Sequence, residues 1–294
     1  MAAVLGKVVI MGLGLMGGSL ARSLKQTGFC DHITGHGHRD VSLKKGVSLG
    51  IIDSYSLDID EALAGADMVV IATPVLRAIE AVAEVLPKVS RSTIVTDVAS
   101  VKGSLLQAGI AACAGQVPPN LVLGHPIAGS HNSGVDASDA DLYRNHRVIL
   151  TPLPETDTEA LAVVRQMWLS TGANVAEMNV AEHDAVLAAT SHLPHMLAYA
   201  LVDALASSAI TDDIFAFAAG GFRDFSRIAS SDPTMWRDIA LSNRDSLLEA
   251  IDMYTANLAQ LRESIASADS DALHDTFSRS KAVRDAFVAG SADS

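Results

Sequence analysis

The chain has 294 residues, of which 49% are hydrophobic and 4% aromatic, and its formal net charge at pH 7 is −13. This length allows a sizeable core and two domains. The acidity excludes a general electrostatic attraction to nucleic acid or to an anionic membrane, so we expect neither as a partner.

The two cysteines, Cys30 and Cys113, are far apart and have no metal-binding spacing. We therefore expect neither a disulfide nor a metal site. The N-terminus lacks a basic segment followed by an apolar stretch of signal length, and no uninterrupted apolar run is as long as a membrane span. These features predict a cytoplasmic protein.

The first predicted strand, residues 7–11, runs directly into the sequence Gly-Leu-Gly-Leu-Met-Gly, after which a helix begins. Glycine at the first, third and sixth positions, between a strand and a helix, is typical of a dinucleotide-binding loop. The glycines allow a tight turn, close approach to a pyrophosphate and close helix packing, while the helix N-terminus attracts its negative charge. A glycine-rich turn without a ligand is the less favoured interpretation. The predicted cofactor contacts are Gly12, Gly14, Leu15, Met16 and Gly17.

The second predicted strand, residues 32–36, ends without the acidic residue that usually binds the ribose of NAD. The next residues are Gly37, His38 and Arg39, and no acid stands before Asp40. The guanidinium of Arg39 can bind a 2′-phosphate. The sequence thus favours NADP and leaves NAD possible, whereas an ordinary solvated loop is the alternative interpretation.

Further apolar strands are predicted at residues 66–74, 92–98, 121–125, 147–151 and 174–178, and helical stretches separate most of them. This alternation predicts an α/β fold with a doubly wound parallel sheet. Three successive strands bring Thr73 and Pro74, then Ser100, and then His125 to one edge. We count Thr73 and Pro74 among the cofactor contacts.

His125 follows a buried strand and is held between Gly124 and Pro126, in a segment that extends to Gly129. Ligands bind at the carboxyl edge of such sheets, and histidine is the side chain best suited to proton transfer near neutral pH. The alternative interpretation is a loop histidine that merely ends a strand.

A helical pattern begins at residue 180, after a predicted capping box of Asn179 and Glu182. His192 and His195 share one helix face, and Pro194 is expected to bend that helix. Zinc is not favoured, because neither cysteine nor an H-E-x-x-H motif accompanies these histidines.

A long helix is predicted to begin at Asp232 and Pro233. Within it, Leu247 to Ile265 form a coiled-coil-like seam, either a core stripe or part of a dimer interface. Upstream, the charged residues Arg223 and Arg227 lie in a segment rich in glycine and phenylalanine, where an ordinary solvated face is less expected.

Six segments together resemble the prephenate/arogenate (cyclohexadienyl) dehydrogenase family, over roughly residues 7–287. They are Gly12–Ser19, Asp97–Lys102, Gly124–Ser130, Ser191–His195, Gly220–Ala229 and Ser231–Asp238. The resemblance implies a Rossmann-type doubly wound parallel sheet in residues 1–179. It also implies an all-α helical substrate-binding and dimerisation domain in residues 180–294, and a homodimer. The sequence differs from the family pattern at residues 37–39, where NAD-dependent members carry an acidic residue. This difference affects the expected choice between NAD and NADP, not the expected reaction.

The reaction that the resemblance implies is the oxidative decarboxylation of prephenate to 4-hydroxyphenylpyruvate, with hydride transfer to NAD(P). The alternative is an arogenate or dual cyclohexadienyl dehydrogenase that makes tyrosine directly. The resemblance implies that His125 accepts the proton of the substrate hydroxyl and that Ser100 either bonds this hydroxyl or orients His125. It also implies that Arg227 binds the ring carboxylate of the substrate. Candidates for the substrate side chain are Ser130, His195, Gly221 and His131, the last favouring prephenate over an ammonium-bearing substrate.

Two other hypotheses remain. A β-hydroxyacid dehydrogenase would share the glycine loop, but the second half lacks the lysine in a glycine-rich helix that such enzymes use. A nucleotide-binding protein without turnover would not need His125, Ser100 and Arg227 together.

Overall fold

The computed structural model describes residues 4–129, 132–208 and 210–291 of the chain. The chain divides into two compact units, Met1–Arg244 and Asp245–Ser294. The predicted residues Ser130 and His131 lie outside the described residues.

A six-stranded parallel sheet forms the centre of the first unit, in the order β3-β2-β1-β4-β5-β6. Its central strands are continuous apolar runs with no exposed surface, as expected for a sheet covered by helices on both faces: Val8 to Ile10 and Met68 to Ile71 are all 0% exposed. The doubly wound parallel sheet is thereby confirmed. The strands are β1 (Leu5–Met11), β2 (Cys30–His36), β3 (Ser54–Ser56), β4 (Met68–Ile71), β5 (Ile94–Asp97) and β6 (Leu121–Val122).

The helices between these strands present apolar stripes to the sheet. In the helix after β4, for example, the buried residues Val75, Ala78, Val82 and Val85 recur at helical spacing. The helices are α1 (Leu15–Thr27), α2 (Asp40–Ser48), α3 (Ile59–Leu63), α4 (Val75–Val85) and α5 (Gly103–Ala112).

The chain leaves the parallel sheet immediately before His125. Residues 121–125 were expected to form one strand, but β6 ends at Val122, and β7 (Gly124–Pro126) belongs to a second, three-stranded sheet. That sheet also contains β8 (Arg147–Leu150), antiparallel to β7, and β9 (Asn174–Glu177), parallel to β8. The expectation that all these strands extend a single parallel sheet was therefore wrong.

A buried ion pair explains this change of sheet. Lys102 and Asp97 are both 0% exposed and contact each other directly. Lys102 Nζ also donates to the carbonyl oxygen of Gly124 at 2.7 Å, and Asp97 Oδ1 accepts from the Gly124 N–H at 3.1 Å. The pair thus satisfies both backbone groups of Gly124 where the chain passes between sheets.

The segment between β7 and β8 returns to the glycine loop. The Tyr143 hydroxyl donates to the carbonyl oxygen of Met16 at 2.7 Å, and the Asp139 N–H donates to Ser19 Oγ at 3.0 Å. Tyr143 is fully buried. The strand that carries His125 is therefore tied to the first turn of α1.

The rest of the first unit is mainly helical. Its elements are α6 (Thr158–Ser170), α7 (Val180–Leu187), a π-helical turn (Ala188–His192), α8 (Leu193–Ala206), α9 (Thr211–Ala216), α10 (Gly220–Ser226), a 3₁₀ turn (Arg227–Ser230) and α11 (Pro233–Ser242). Asn179 caps α7 by accepting from the Glu182 N–H at 2.8 Å, which confirms the predicted capping residue. The irregularity predicted at Pro194 takes the form of the π-helical turn just before it.

One described helical stretch, Val180–Ala206, is long and apolar enough to cross a membrane by length and composition alone. A core helix passes the same test. Here His183 and His192 are buried and hydrogen-bonded to protein groups, as expected for a helix that packs inside a protein.

The long helix predicted from Asp232 is broken. Asp232 caps α11 as expected, accepting from the Met235 N–H at 2.8 Å, but α11 ends at Ser242, and α12 (Arg244–Ala266) begins after Asn243. The side chain of Asn243 turns inward and donates to the carbonyl oxygen of Asp184 at 2.8 Å. This inward hydrogen bond accounts for the break.

The second unit contains most of α12 and all of α13 (Ser270–Ser291). The predicted seam has Leu247 4% exposed, but Leu258 is 51% and Ile265 61% exposed. On α13, Phe277 and Phe287 are 56% and 68% exposed. These helices therefore carry several large apolar side chains that are more than half exposed.

Replacing Lys102 by methionine should destabilise the fold, because it leaves the buried carboxylate of Asp97 without its cation. Removing one partner of a buried pair costs about 3–5 kcal/mol in unfolding free energy, which urea titration would measure. Lys88→Met is the matched control, since its pair with Asp60 is solvent-exposed and should contribute little. Equal losses in the two variants would contradict the assignment.

Candidate active site

The glycine loop is shaped by contacts that exclude side chains. Gly12 has φ +96°, and a Cβ there would lie 2.7 Å from the carbonyl oxygen of Ala72. A Cβ on Gly17 would overlap the carbonyl oxygen of Gly12. Both glycines are thus required by the fold itself, before any ligand is considered.

Gly14 differs, because a Cβ there would have no atom within 4 Å. Its backbone, at φ −99° and ψ −153°, suits any residue, and it is the N-cap of α1. No side chain caps α1, and its first turn contains no acidic residue. The N-terminus of α1, where Leu15 and Met16 lie, thus has open space at Gly14 and no side-chain cap, which fits the pyrophosphate of a dinucleotide.

Thr73 and Pro74 follow β4, beside the glycine loop. A Cβ on Gly12 would lie 2.8 Å from the methyl group of Thr73. Thr73 Oγ1 is buried and has no hydrogen-bond partner among the described residues. An unpartnered buried hydroxyl at this edge fits a polar group of the predicted cofactor.

The end of β2 holds no acidic side chain. His36 is buried, and its Nδ1 lies 3.0 Å from the carbonyl oxygen of Ser56. His38 and Arg39 are exposed, and Arg39 immediately precedes α2. No ion pair involves Arg39 within the described part of the chain.

His125 lies on β7 with only 8% of its surface exposed. Its Nδ1 is 2.9 Å from Nε2 of His183, and the two rings meet edge to face. Ser100, half-buried after β5, makes no hydrogen bond with His125 among the described residues. The contact that orients the histidine therefore comes from His183.

His183 and Asp184, both on α7, are functional candidates that the sequence did not single out. His183 Nδ1 lies 2.8 Å from Asp184 Oδ1. Asp184 also accepts from the N–H groups of Lys102 at 2.9 Å and Gly103 at 2.7 Å. An adjacent His-Asp pair near a predicted cap was the available signal, but nothing local shows that α7 packs beside β7.

The environment keeps His125 neutral. Burial lowers its pKa well below the usual value, and the positive charge of Lys102 lowers it further. For Asp184, burial alone would raise the pKa, but hydrogen bonds from His183, Lys102 and Gly103 outweigh it and lower the pKa. At neutral pH the cluster thus holds a carboxylate and an uncharged imidazole at His125.

His192 and His195 lie further along the same helical stretch. Burial lowers the pKa of His192 to about 4, and its Nδ1 lies 3.1 Å from Asn243 Nδ2. His195 is stacked on Trp236 with ring centroids 3.5 Å apart. Burial and the nearby charge of Arg227 lower the pKa of His195.

The remaining predicted residues are placed as follows. Arg227 is exposed, in the 3₁₀ turn after α10, and Gly221 is exposed in the first turn of α10. The indole Nε1 of Trp236 is buried without a hydrogen-bond partner among the described residues. Arg227, His195 and Trp236 thus lie in one neighbourhood that has unused hydrogen-bonding capacity.

Comparison with known families decides the identity. The family model for the nucleotide-binding domain of prephenate dehydrogenase matches residues 20–177, and the model for its dimerization domain matches residues 179–279. The chain belongs to the prephenate dehydrogenase family. It is therefore an NAD(P)-dependent oxidoreductase of tyrosine biosynthesis, which decides against the two other hypotheses.

Individual relatives agree with the family assignment. The chain is 36% identical over 283 residues to the cyclohexadienyl dehydrogenase of Zymomonas mobilis, covering 94% of each chain. It is 36% identical over 283 residues to the prephenate dehydrogenase of Bacillus subtilis, covering 95% of this chain and 75% of that one. A crystal structure of prephenate dehydrogenase from A. aeolicus, in complex with hydroxyphenyl propionate and NAD+, has a TM-score of 0.88 and 37% identity, covering 96% of this chain and 98% of that chain.

No group of three or more His, Cys, Asp or Glu side chains in the described ranges is arranged to hold a metal ion. Cys30 and Cys113 are free thiols, and burial raises the pKa of Cys30 to about 11.

The two glycines of the loop should respond differently to alanine. Gly14→Ala should leave the melting temperature almost unchanged but weaken NAD(P) binding, because its methyl group would enter the space assigned to the pyrophosphate. Gly17→Ala should lower the melting temperature, because its methyl group meets backbone. Thermal unfolding and cofactor titration by fluorescence would measure both effects. Unchanged cofactor affinity in folded Gly14→Ala would remove the pyrophosphate from this position.

Proposed function

We propose that this enzyme oxidatively decarboxylates prephenate to 4-hydroxyphenylpyruvate, with NADP as the preferred cofactor. The observation that carries the proposal is a buried, neutral His125 on β7, in a chain whose glycine loop fits a dinucleotide. The names of the relatives from Bacillus subtilis and A. aeolicus support prephenate as the substrate. Arogenate is the alternative, since the relative from Zymomonas mobilis is named a cyclohexadienyl dehydrogenase.

The reaction removes one hydride and one carboxylate from the substrate ring. The C–H bond at the hydroxyl-bearing carbon breaks, and the bound NAD(P)+ accepts the hydride. The bond between the ring and its carboxylate breaks as well, CO2 leaves, and the electron pair of that bond enters the ring and makes it aromatic. The hydroxyl proton shifts toward His125 as charge moves from the oxygen into the ring, and the phenol regains it, so the step has no net proton change.

We assign roles to the predicted residues on this basis. His125 is assigned as the proton acceptor at the hydroxyl, and Ser100, which follows β5, is assigned to bond the same hydroxyl or to orient His125. Arg227 is the cation for the ring carboxylate. His195 is assigned to the substrate side chain. With Arg227 and His195 at the substrate, a chain of negative net charge can bind a substrate that carries two carboxylates.

The substrate-side assignments of Ser130, His131 and Gly221 stay predictions. His131 would disfavour the ammonium group of arogenate and so favour prephenate. Comparing kcat/KM for the two substrates would decide between them, and a preference for arogenate would overturn this part of the proposal.

We propose a homodimer formed through the helical part of the chain. The supporting observation is the exposed apolar surface of α12 and α13, which includes Leu258, Ile265 and Phe287, in a region matched by the family's dimerization domain. We keep residues 1–179 as the dinucleotide-binding domain and residues 180–294 as the helical domain. A cytoplasmic location accords with the two free cysteines.

Replacing His125 by asparagine should lower kcat about 10²–10⁴-fold, the usual effect of removing a general base. The KM for prephenate should change little, because the amide retains hydrogen-bonding capacity. Steady-state reduction of NAD(P) measures both parameters. His146→Asn, at an exposed position, is the matched control and should behave like the parent enzyme.

The pH dependence follows from the same assignment. A base must be neutral to act, and burial holds the pKa of His125 well below its usual value, so kcat/KM should be maintained as the pH falls below 6.5. An acid limb at or above the ordinary histidine pKa of about 6.5, or near-normal kcat in folded His125→Asn, would contradict the role of His125.

Arg39→Ala should weaken NADP binding about tenfold to a hundredfold and spare NAD, because a hydrogen bond to a charged group contributes about 1.5–3 kcal/mol. Lys44→Ala is the control, since Lys44 lies on the adjacent helix but is paired with Asp40. Dissociation constants for both cofactors would be measured for each variant. Equal or better kcat/KM with NAD in the parent enzyme would show that the end of β2 does not select NADP.

A further inference from the structure

The catalytic histidine proposed above is the first member of a buried hydrogen-bonded chain. His125 Nδ1 meets His183 Nε2 at 2.9 Å, and His183 Nδ1 meets Asp184 Oδ1 at 2.8 Å. His183 is 0% and Asp184 8% exposed. Hydrogen bonds between groups this well buried are not exchanged for water, so the donor and acceptor roles along the chain are tied to one another.

Those roles follow from the carboxylate. An ionised carboxylate only accepts, so His183 Nδ1 must carry a proton and donate it. The other nitrogen of a neutral His183, Nε2, then has only a lone pair, so His125 Nδ1 must donate to it. In a neutral His125 the remaining nitrogen, Nε2, is left with a free lone pair.

The chain is anchored by contacts that do not involve substrate. Asp184 accepts from the N–H groups of Lys102 and Gly103 at the start of α5, and the carbonyl oxygen of Asp184 accepts from Asn243. The groups that face the chain are therefore the cation of Lys102, the neutral His192 and the carboxylate itself. The negative charge of Asp184 opposes the positive charge of Lys102 when His125 gains a proton.

We propose that Asp184, acting through His183, fixes His125 in the tautomer that is protonated on Nδ1, and so leaves Nε2 free to accept the hydroxyl proton of the substrate. The inference rests on the proposed function, because it presumes that His125 is the base. His183 and Asp184 are positioning residues, and neither is required to touch the substrate.

The test combines three substitutions. Asp184→Asn removes the charge and cannot accept from His183, Lys102 and Gly103 together. His183→Phe keeps a ring but breaks the chain. His183→Gln restores an amide oxygen that accepts from His125 and an amide nitrogen that donates to Asp184. Glu182→Gln, an exposed acid on the same helix, is the matched control.

We expect Asp184→Asn and His183→Phe each to lower kcat at least about 10²-fold, with KM for prephenate and cofactor affinity within threefold of the parent enzyme. The double variant should lose no more than the worse single variant, because both break one chain. His183→Gln should recover most of kcat, and Glu182→Gln should match the parent. Losses that multiply in the double variant, or His183→Gln as slow as His183→Phe, would overturn the proposal.

A measurement without turnover separates this inference from the proposed function and does not depend on the variants folding. The ¹⁵N NMR signals of the His125 ring in the parent enzyme, between pH 7 and 8, should show a protonated Nδ1 and an unprotonated Nε2. The opposite tautomer would overturn the proposal that Asp184 and His183 fix the tautomer of His125. If the tautomer is as expected but prephenate is not turned over, the positioning role of Asp184 and His183 is supported and the proposed function fails.

Discussion

The buried contact between Lys102 and Asp97 is the interaction on which the site depends. Two opposite charges are fully removed from water, which is costly unless their remaining hydrogen-bonding capacity is used. Here Lys102 and Asp97 each form a hydrogen bond with the backbone of Gly124, and Asp97 accepts one further hydrogen bond from the Ala99 N–H. The pair therefore directs the chain out of the parallel sheet, and β7 presents His125 as a consequence. Its cation also contributes to keeping that histidine uncharged.

The dinucleotide half of the site could be predicted because its signals are local. The strand, the three glycines and the helix follow one another within about twenty residues, and the contacts that exclude a side chain at Gly12 and Gly17 are those that the glycine pattern already implies. The sequence also predicted that the apolar segment before His125 is buried, and Leu121 to Leu123 are at most 3% exposed. The change of sheet at Gly124 was not predictable, because it depends on a side-chain pair whose partners are ordinary residues in the sequence.

The helical half was less predictable because its contacts are distant in sequence. His183 lies 58 residues from His125, and Asp184 lies 82 residues from the N–H group of Lys102 that it accepts from. Helical periodicity places these residues on α7 but cannot show which strand the helix meets. Asn243 illustrates the same limit: an inward hydrogen bond to Asp184, 59 residues away, ends a helix that the apolar pattern alone would continue.

The return of the chain from β7 to the glycine loop has a consequence for the order of folding. Tyr143 contacts Met16 across 127 residues, and Asp139 contacts Ser19 across 120. Contacts of such sequence separation form late, because closing a long loop costs entropy before any contact is gained. During synthesis, the first four strands can pair while residues 127–146 are still inside the ribosome. The contacts of this segment with the first turn of α1 therefore form only after β7, the strand that carries His125, has been made.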